Sequence, residues 1–119
     1  MLVIDLQNCQ EIIAGDATIL RELLRPDRGR VKIRYSLANA ALKPGEVSRP
    51  HRLKSSEVYY ILEGEGLMHI ESESARVRPG QAIYIPANSR QFIENTGNSE
   101  LRFLCIVDPA WRRDDEEVL

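Results

Sequence analysis

Residues 44–64 read PGEVSRPHRLKSSEVYYILEG and residues 79–95 read PGQAIYIPANSRQFIEN. Each stretch opens on a Pro-Gly turn, in which Pro presets φ and Gly allows the positive φ that follows. The first carries Gly45, His51, Leu53, Glu57 and Gly64 in the pattern G-x5-H-x-L-x3-E-x6-G. The second carries Gly80, Pro86, Asn88, Gln91 and Asn95 in the pattern G-x5-P-x-N-x2-Q-x3-N. Between these fixed points the residues are β-branched and aromatic, as in Glu57 to Leu62, and are bounded by Gly64-Glu65-Gly66, which reads as a strand and its turn.

The same reading extends outward. Leu67 to Ile70, Ala75 to Val77, Ala82 to Ile85, Arg90 to Glu94 and Leu101 to Val107 are strand candidates. Polar or Pro/Gly-bearing segments separate them, with Glu71 to Ala75 as a hairpin loop. Pro109 stops the last strand. Upstream, Val31, Ile33, Tyr35 and Leu37 alternate with polar residues, which predicts a long strand over Val31 to Leu42. Val3, Ile4 and Leu6 suit a short first strand. In Thr18 to Leu24 the apolar positions 19, 20, 23 and 24 favour a helical turn by periodicity, with a strand as the alternative. Short strands recurring every 8–12 residues or so indicate an all-β sandwich or barrel.

Composition narrows the class. The 119 residues are about one domain's worth, 43% are hydrophobic and 29% charged, and the net charge is −2. Nothing in that balance points to nucleic acid or an anionic membrane. No apolar run approaches a membrane span, and the N-terminus lacks the basic and apolar regions of a signal peptide. The expectation is a cytoplasmic protein. Cys9 and Cys105 belong to no C-x-x-C unit and read as reduced, semi-buried thiols. The charge run Arg112 to Glu117 reads as a solvated tail.

The two patterns closely resemble the paired signature of the cupin superfamily, G-x5-H-x-H-x3-E-x6-G followed by G-x5-P-x-G-x2-H-x3-N. The spacing agrees at every position. The resemblance implies a small jelly-roll barrel, a double-stranded β-helix of the conserved-barrel cupin type. It would span 1–119, with 1–30 as N-terminal strands or arm and 108–119 as a tail. It also implies a strand near Thr18 to Leu24, and a homodimer formed through N-terminal strands and outer sheet faces. Three identities depart from the family. Leu53 stands where it has a second His, Asn88 where it has Gly, and Gln91 where it has a third His.

Strand alternation sets which side chains share a face. Leu53 lies beside His51, Tyr59 and Ile61 lie beside Glu57, and Ile93 and Asn95 lie beside Gln91. The resemblance makes His51, Glu57 and Gln91 the candidate ligands for a divalent ion (Zn, Mn, Fe or Ni). That set holds one imidazole, whereas a facial triad for non-haem iron uses two with one carboxylate. His69 matches no ligand position and reads as surface or packing. Arg52 and Arg90 should point away from the cavity. Trp111 suits a tail anchor or a dimer contact.

Two functions fit. The first is an enzyme of the isomerase or dioxygenase kind acting on a small polar molecule. The ion would polarise the substrate, and Glu57 or Tyr59 would move a proton. The second is a metal-free binding module in which Leu53, Tyr59 and Gln91 contact a small ligand. Leu53 and Gln91 favour the second; the retained His51 and Glu57 favour the first.

Overall fold

The computed structural model describes residues 1–27 and 29–119. The chain folds into eleven strands: β1 (Ile12–Ile13), β2 (Ile19–Leu24), β3 (Ser36–Leu42), β4 (His51–Leu53), β5 (Ser56–Glu63), β6 (Gly66–Ile70), β7 (Glu73–Val77), β8 (Ala82–Ile85), β9 (Gln91–Asn95), β10 (Leu101–Asp108) and β11 (Glu116–Val118). A six-stranded sheet runs β1-β2-β3-β10-β5-β8 and a five-stranded sheet runs β11-β4-β9-β6-β7. Every pairing is antiparallel. The all-β class and the jelly-roll architecture read from the sequence are what the chain adopts. Among the described residues no helix is long and apolar enough to cross a membrane.

Alternation builds the core. On β10, Leu101, Phe103, Cys105 and Val107 are buried while their neighbours face outward. Tyr59 and Ile61 of β5, Ile85 of β8, Met68 of β6 and Ile93 of β9 meet them between the sheets. The Tyr59 and Phe103 rings lie 4.5 Å apart, centre to centre, in a tilted pair. Gly64 is fixed by space as well as conformation: its φ is +85°, and a Cβ would stand 2.6 Å from the Glu100 carbonyl oxygen. Asn88 holds φ +65°, a left-handed conformation that asparagine tolerates better than most residues. That accounts for its presence at the family's glycine position.

The structure corrects several expectations. Val3 and Ile4 form no strand: Leu6–Asn8 is a turn of 3-10 helix, capped by the Asp5 carboxylate, which accepts from Gln7 N at 2.9 Å. Ile19–Leu24 is a strand, not a helical turn, and it pairs along β3. A register shift between Glu22 and Leu24 breaks the two-residue alternation and leaves an apolar spacing that mimics a helix. The long strand from Val31 is shorter, starting only at Ser36. Its partner β10 meets Pro109 just beyond Asp108, and a proline nitrogen cannot extend the ladder. The loop Glu71 to Ala75 is only a two-residue turn, with β7 starting at Glu73. Its polar side chains belong to an exposed sheet edge.

The charged tail is also structured. Arg113–Asp115 makes a 3-10 turn, and Glu116–Val118 pairs with β4, placing Glu116 opposite Leu53 and Val118 opposite His51. The otherwise open edge of β4 supplies the backbone partners that order it.

Candidate functional site

The site begins at β4. His51 and Leu53 point inward and Arg52 outward, where it pairs with Glu117 at 3.5 Å. His51 is 2% exposed. Its Nδ1 lies 2.8 Å from the Arg49 carbonyl oxygen. A carbonyl only accepts, so Nδ1 carries the hydrogen, and in the neutral ring Nε2 keeps its lone pair.

Asp16 reaches the same place from the turn between β1 and β2. Its Oδ1 accepts from Thr18 N at 3.1 Å and from Thr18 Oγ1 at 2.7 Å. Its backbone carbonyl accepts from Arg49 N at 2.7 Å, which fastens the turn to the entry of β4. Ala17 sits at φ +74°, a conformation that costs a non-glycine residue roughly 1 kcal/mol or more. These bonds hold it there. Asp16 Oδ2 is left 3.7 Å from His51 Nε2.

Glu57 and Tyr59 share the inner face of β5 and are joined through Gln91 on β9. Tyr59 Oη donates to Gln91 Oε1 at 3.1 Å, and Gln91 Nε2 donates to Glu57 Oε1 at 3.1 Å. Burial pushes the Glu57 carboxyl up from 4.5 to about 8; the Gln91 hydrogen bond opposes this, and the charges of Asp16 and Glu116 add to it. Glu57 therefore holds its proton at neutral pH. Burial also pushes the Tyr59 phenol and the Cys105 thiol well above their ordinary values, so both stay neutral.

These groups open on a cavity of about 170 Å³. His51, Leu53, Glu57 and Tyr59 line it, whereas Gln91 is not on its wall and acts from behind, orienting Glu57 and Tyr59. Ile12, Ile13, Leu20, Ala40, Phe103 and Val107 supply apolar wall. Sequence reasoning missed Asp16, Cys105 and Glu116 as lining residues, and it gave Trp111 a tail-anchor or dimer-contact role. Trp111 Nε1 donates to Glu116 Oε2 at 2.8 Å, and both line the cavity. A signal for Asp16 was present in Asp16-Ala17-Thr18, the spacing of a side chain capping its own turn. For Glu116 no local signal separates it from the charges beside it. His69 lies elsewhere, stacked on Phe92 at 4.1 Å and bonded to Glu94 at 2.6 Å, the packing role expected of it.

The ligand set His51, Glu57 and Gln91 does not fit a divalent ion. His51 offers one lone pair and Leu53 none. Gln91 Oε1 is engaged by Tyr59. Among the described residues no group of three or more His, Cys, Asp and Glu side chains is placed to hold a metal.

Comparison with known proteins agrees with the architecture. Residues 39–107 match the Cupin domain family model. An uncharacterised protein of Methanocaldococcus jannaschii is 41% identical over 108 residues, covering 90% of this chain and 86% of that one. An oxalate-binding protein of Thermotoga maritima is 29% identical over 97 residues, covering 71% of this chain and 80% of that one. Among solved structures, the polyketide cyclase RemF from Streptomyces resistomycificus superposes with a TM-score of 0.82 at 21% identity, covering all of this chain and 85% of that one. With the family model matched over more than half its length and the barrel formed, the chain belongs to the cupin family.

Proposed function

We propose that the protein binds a small, non-anionic organic molecule in this cavity and moves a proton on it, with His51 Nε2 as acceptor and the Glu57 carboxyl as donor. One observation carries the reading: an imidazole lone pair and a buried, protonated carboxyl open on one apolar cavity. A lone-pair acceptor and a proton donor in one desolvated site are what general acid–base chemistry needs. The donor set leaves proton transfer, as in an isomerisation, better supported than oxygen chemistry. A dry cavity of roughly 150 Å³ accepts benzene. A volume of about 170 Å³ therefore suits one six-membered ring, or an acyclic body of that size, with a short substituent. Four acidic residues (Asp16, Glu22, Glu57 and Glu116) line the cavity, and no Lys or Arg does so among the described residues, which disfavours carboxylate ligands. The same reading puts the protein in the cytoplasm, where its free thiols Cys9 and Cys105 stay reduced.

Trp111 is the chain's one tryptophan and lines the cavity, so its fluorescence reports occupancy. Small ketones and hydroxyketones that change it should exchange the hydrogen α to the carbonyl in D2O, followed by NMR. Glu57→Gln and His51→Gln should keep binding and lose exchange by about 100-fold or more. Unchanged exchange in both variants would sink the reading. The second reading, a binding module without catalysis, is favoured by the Tyr59–Gln91–Glu57 chain, whose hydrogen bonds engage the Glu57 carboxyl; binding with no exchange would support it.

A further inference from the structure

We propose that the ligand of this cavity carries a positive charge: a small organic ammonium ion with an apolar body, its charge held between Asp16 and Glu116 and against Trp111. The inference rests on reading the cavity as a small-molecule site and adds the charge of the ligand. Asp16 and Glu116 both lie outside the family-model match at 39–107, so this chain's own terminal segments bring the charge.

Both carboxylates line the cavity. Glu116 Oε1 lies against Gly15, in the space a Cβ there would take, and Asp16 is the next residue. One oxygen of each is engaged: Asp16 Oδ1 is taken by Thr18 and Glu116 Oε2 by Trp111. The other two, Asp16 Oδ2 and Glu116 Oε1, accept no hydrogen bond among the described residues. His51 Nε2, on a side chain 2% exposed, also has no hydrogen-bond partner and lies 3.7 Å from Asp16 Oδ2. This stretch of wall therefore presents acceptors and no donors. An ammonium group brings three donors and the compensating charge. Burying Asp16 at 8% exposure is costly for a carboxylate without a counter-charge, and beyond His51 the described lining offers no basic side chain to supply one. The indole of Trp111 adds the aromatic surface most favourable to a cation. The apolar remainder of the cavity favours an organic cation over a hydrated metal ion.

The test uses three probes of one shape: benzylammonium, benzyl alcohol and benzoate, titrated into the whole protein by calorimetry at pH 7.5 and low salt. Benzylammonium should bind about 10-fold or more tightly than the alcohol, with benzoate not binding, a margin set by unscreened charge in a low-dielectric site. Glu116→Gln and Asp16→Asn should each remove most of that margin. Melting curves confirm folding; if Asp16→Asn does not fold, Glu116→Gln decides alone. Equal binding of alcohol and ammonium would overturn the charge inference and leave the cavity reading standing. Binding of none of the three would overturn both. Displacement of benzylammonium by stoichiometric Mn²⁺, lost in the same variants, would assign the positive charge to a metal and also overturn it.

Discussion

His51 Nε2 and Asp16 Oδ2 face each other at 3.7 Å, one from a strand inside the family pattern and the other from a turn outside it. Asp16 is held there by its other oxygen, through the bonds to Thr18 N and Oγ1. Those bonds and the charge are separable by substitution. Asp16→Asn keeps an oxygen for Thr18, while Asp16→Ala loses both bonds and leaves Ala17 unsupported at φ +74°. The alanine variant should be less stable than the asparagine variant by about 1–3 kcal/mol. Urea denaturation checks this; equal stabilities would mean that Thr18 does not organise the turn.

Glu57 gives the fold a pH signature. Its carboxyl has an ordinary value of 4.5 and a folded value of about 8. Below the lower value both folded and unfolded chains hold the proton and nothing is lost. Between the two, the folded chain keeps a proton that the unfolded chain releases. Stability then falls as pH rises, by up to about 1.4 kcal/mol per unit, and levels off above the folded value. Glu57→Gln has no proton to lose. The stability of the native protein minus that of the variant should therefore decline between about pH 5 and pH 8, measured by urea denaturation at fixed salt. A difference that stays flat would show that Glu57 is not desolvated.

The extent to which this site was legible follows from how each residue reaches it. His51, Leu53, Glu57 and Tyr59 sit two apart on strands, so parity alone placed them on one face once the spacing was recognised. Gln91 obeyed the same parity, being buried opposite His51 in the β4–β9 register. Its retreat behind the wall depends on two side-chain hydrogen bonds that no pattern encodes. Glu116 enters through β11 pairing with β4, a contact spanning more than sixty residues of sequence. A run of six charges gives no hint of which one turns inward. The bulge after Glu22 misled the periodicity by the same mechanism that makes bulges useful: one extra residue resets the face.

Assembly is open to a direct check. Tyr60, Tyr84 and Ile106 are exposed on the outer face of the six-stranded sheet, and Ile12 and Ile13 are exposed on its edge strand β1. A two-residue edge strand with apolar side chains in water calls for a partner. A two-fold dimer burying at least ~1,200 Å² in total is expected. Light scattering at micromolar concentration should give twice 13.6 kDa, and Tyr84→Glu or Ile13→Glu should shift it toward the monomer. A native mass of 13.6 kDa would remove the expectation.

The last prediction asks whether the barrel retains the frame of a metal site. His51 and Leu53 point inward on β4, and Gln91 is the register partner of His51 on β9. Leu53→His with Gln91→His would place three imidazoles beside Glu57, on strands whose backbones already fix their directions. Such a set matches the preferences of Mn²⁺, Fe²⁺, Ni²⁺ or Zn²⁺ far better than one imidazole with a committed amide. A bound cation would also favour the ionised form of Glu57, adding a charged ligand that burial now suppresses. The double variant should bind these ions much more tightly than the native chain, and its melting temperature should rise more when metal is added. Without metal it should be the less stable protein. Removing Gln91 takes the partner from both Tyr59 Oη and Glu57 Oε1, at about 1–3 kcal/mol for each buried group left unsatisfied. Calorimetry with Zn²⁺ and Mn²⁺, beside melts with and without metal, reads both effects. Equal affinities in the two proteins would mean that the side chains at 53 and 91 cannot converge with His51, or that native His51 and Glu57 already recruit the acceptors Asp16 and Glu116 when an ion is offered.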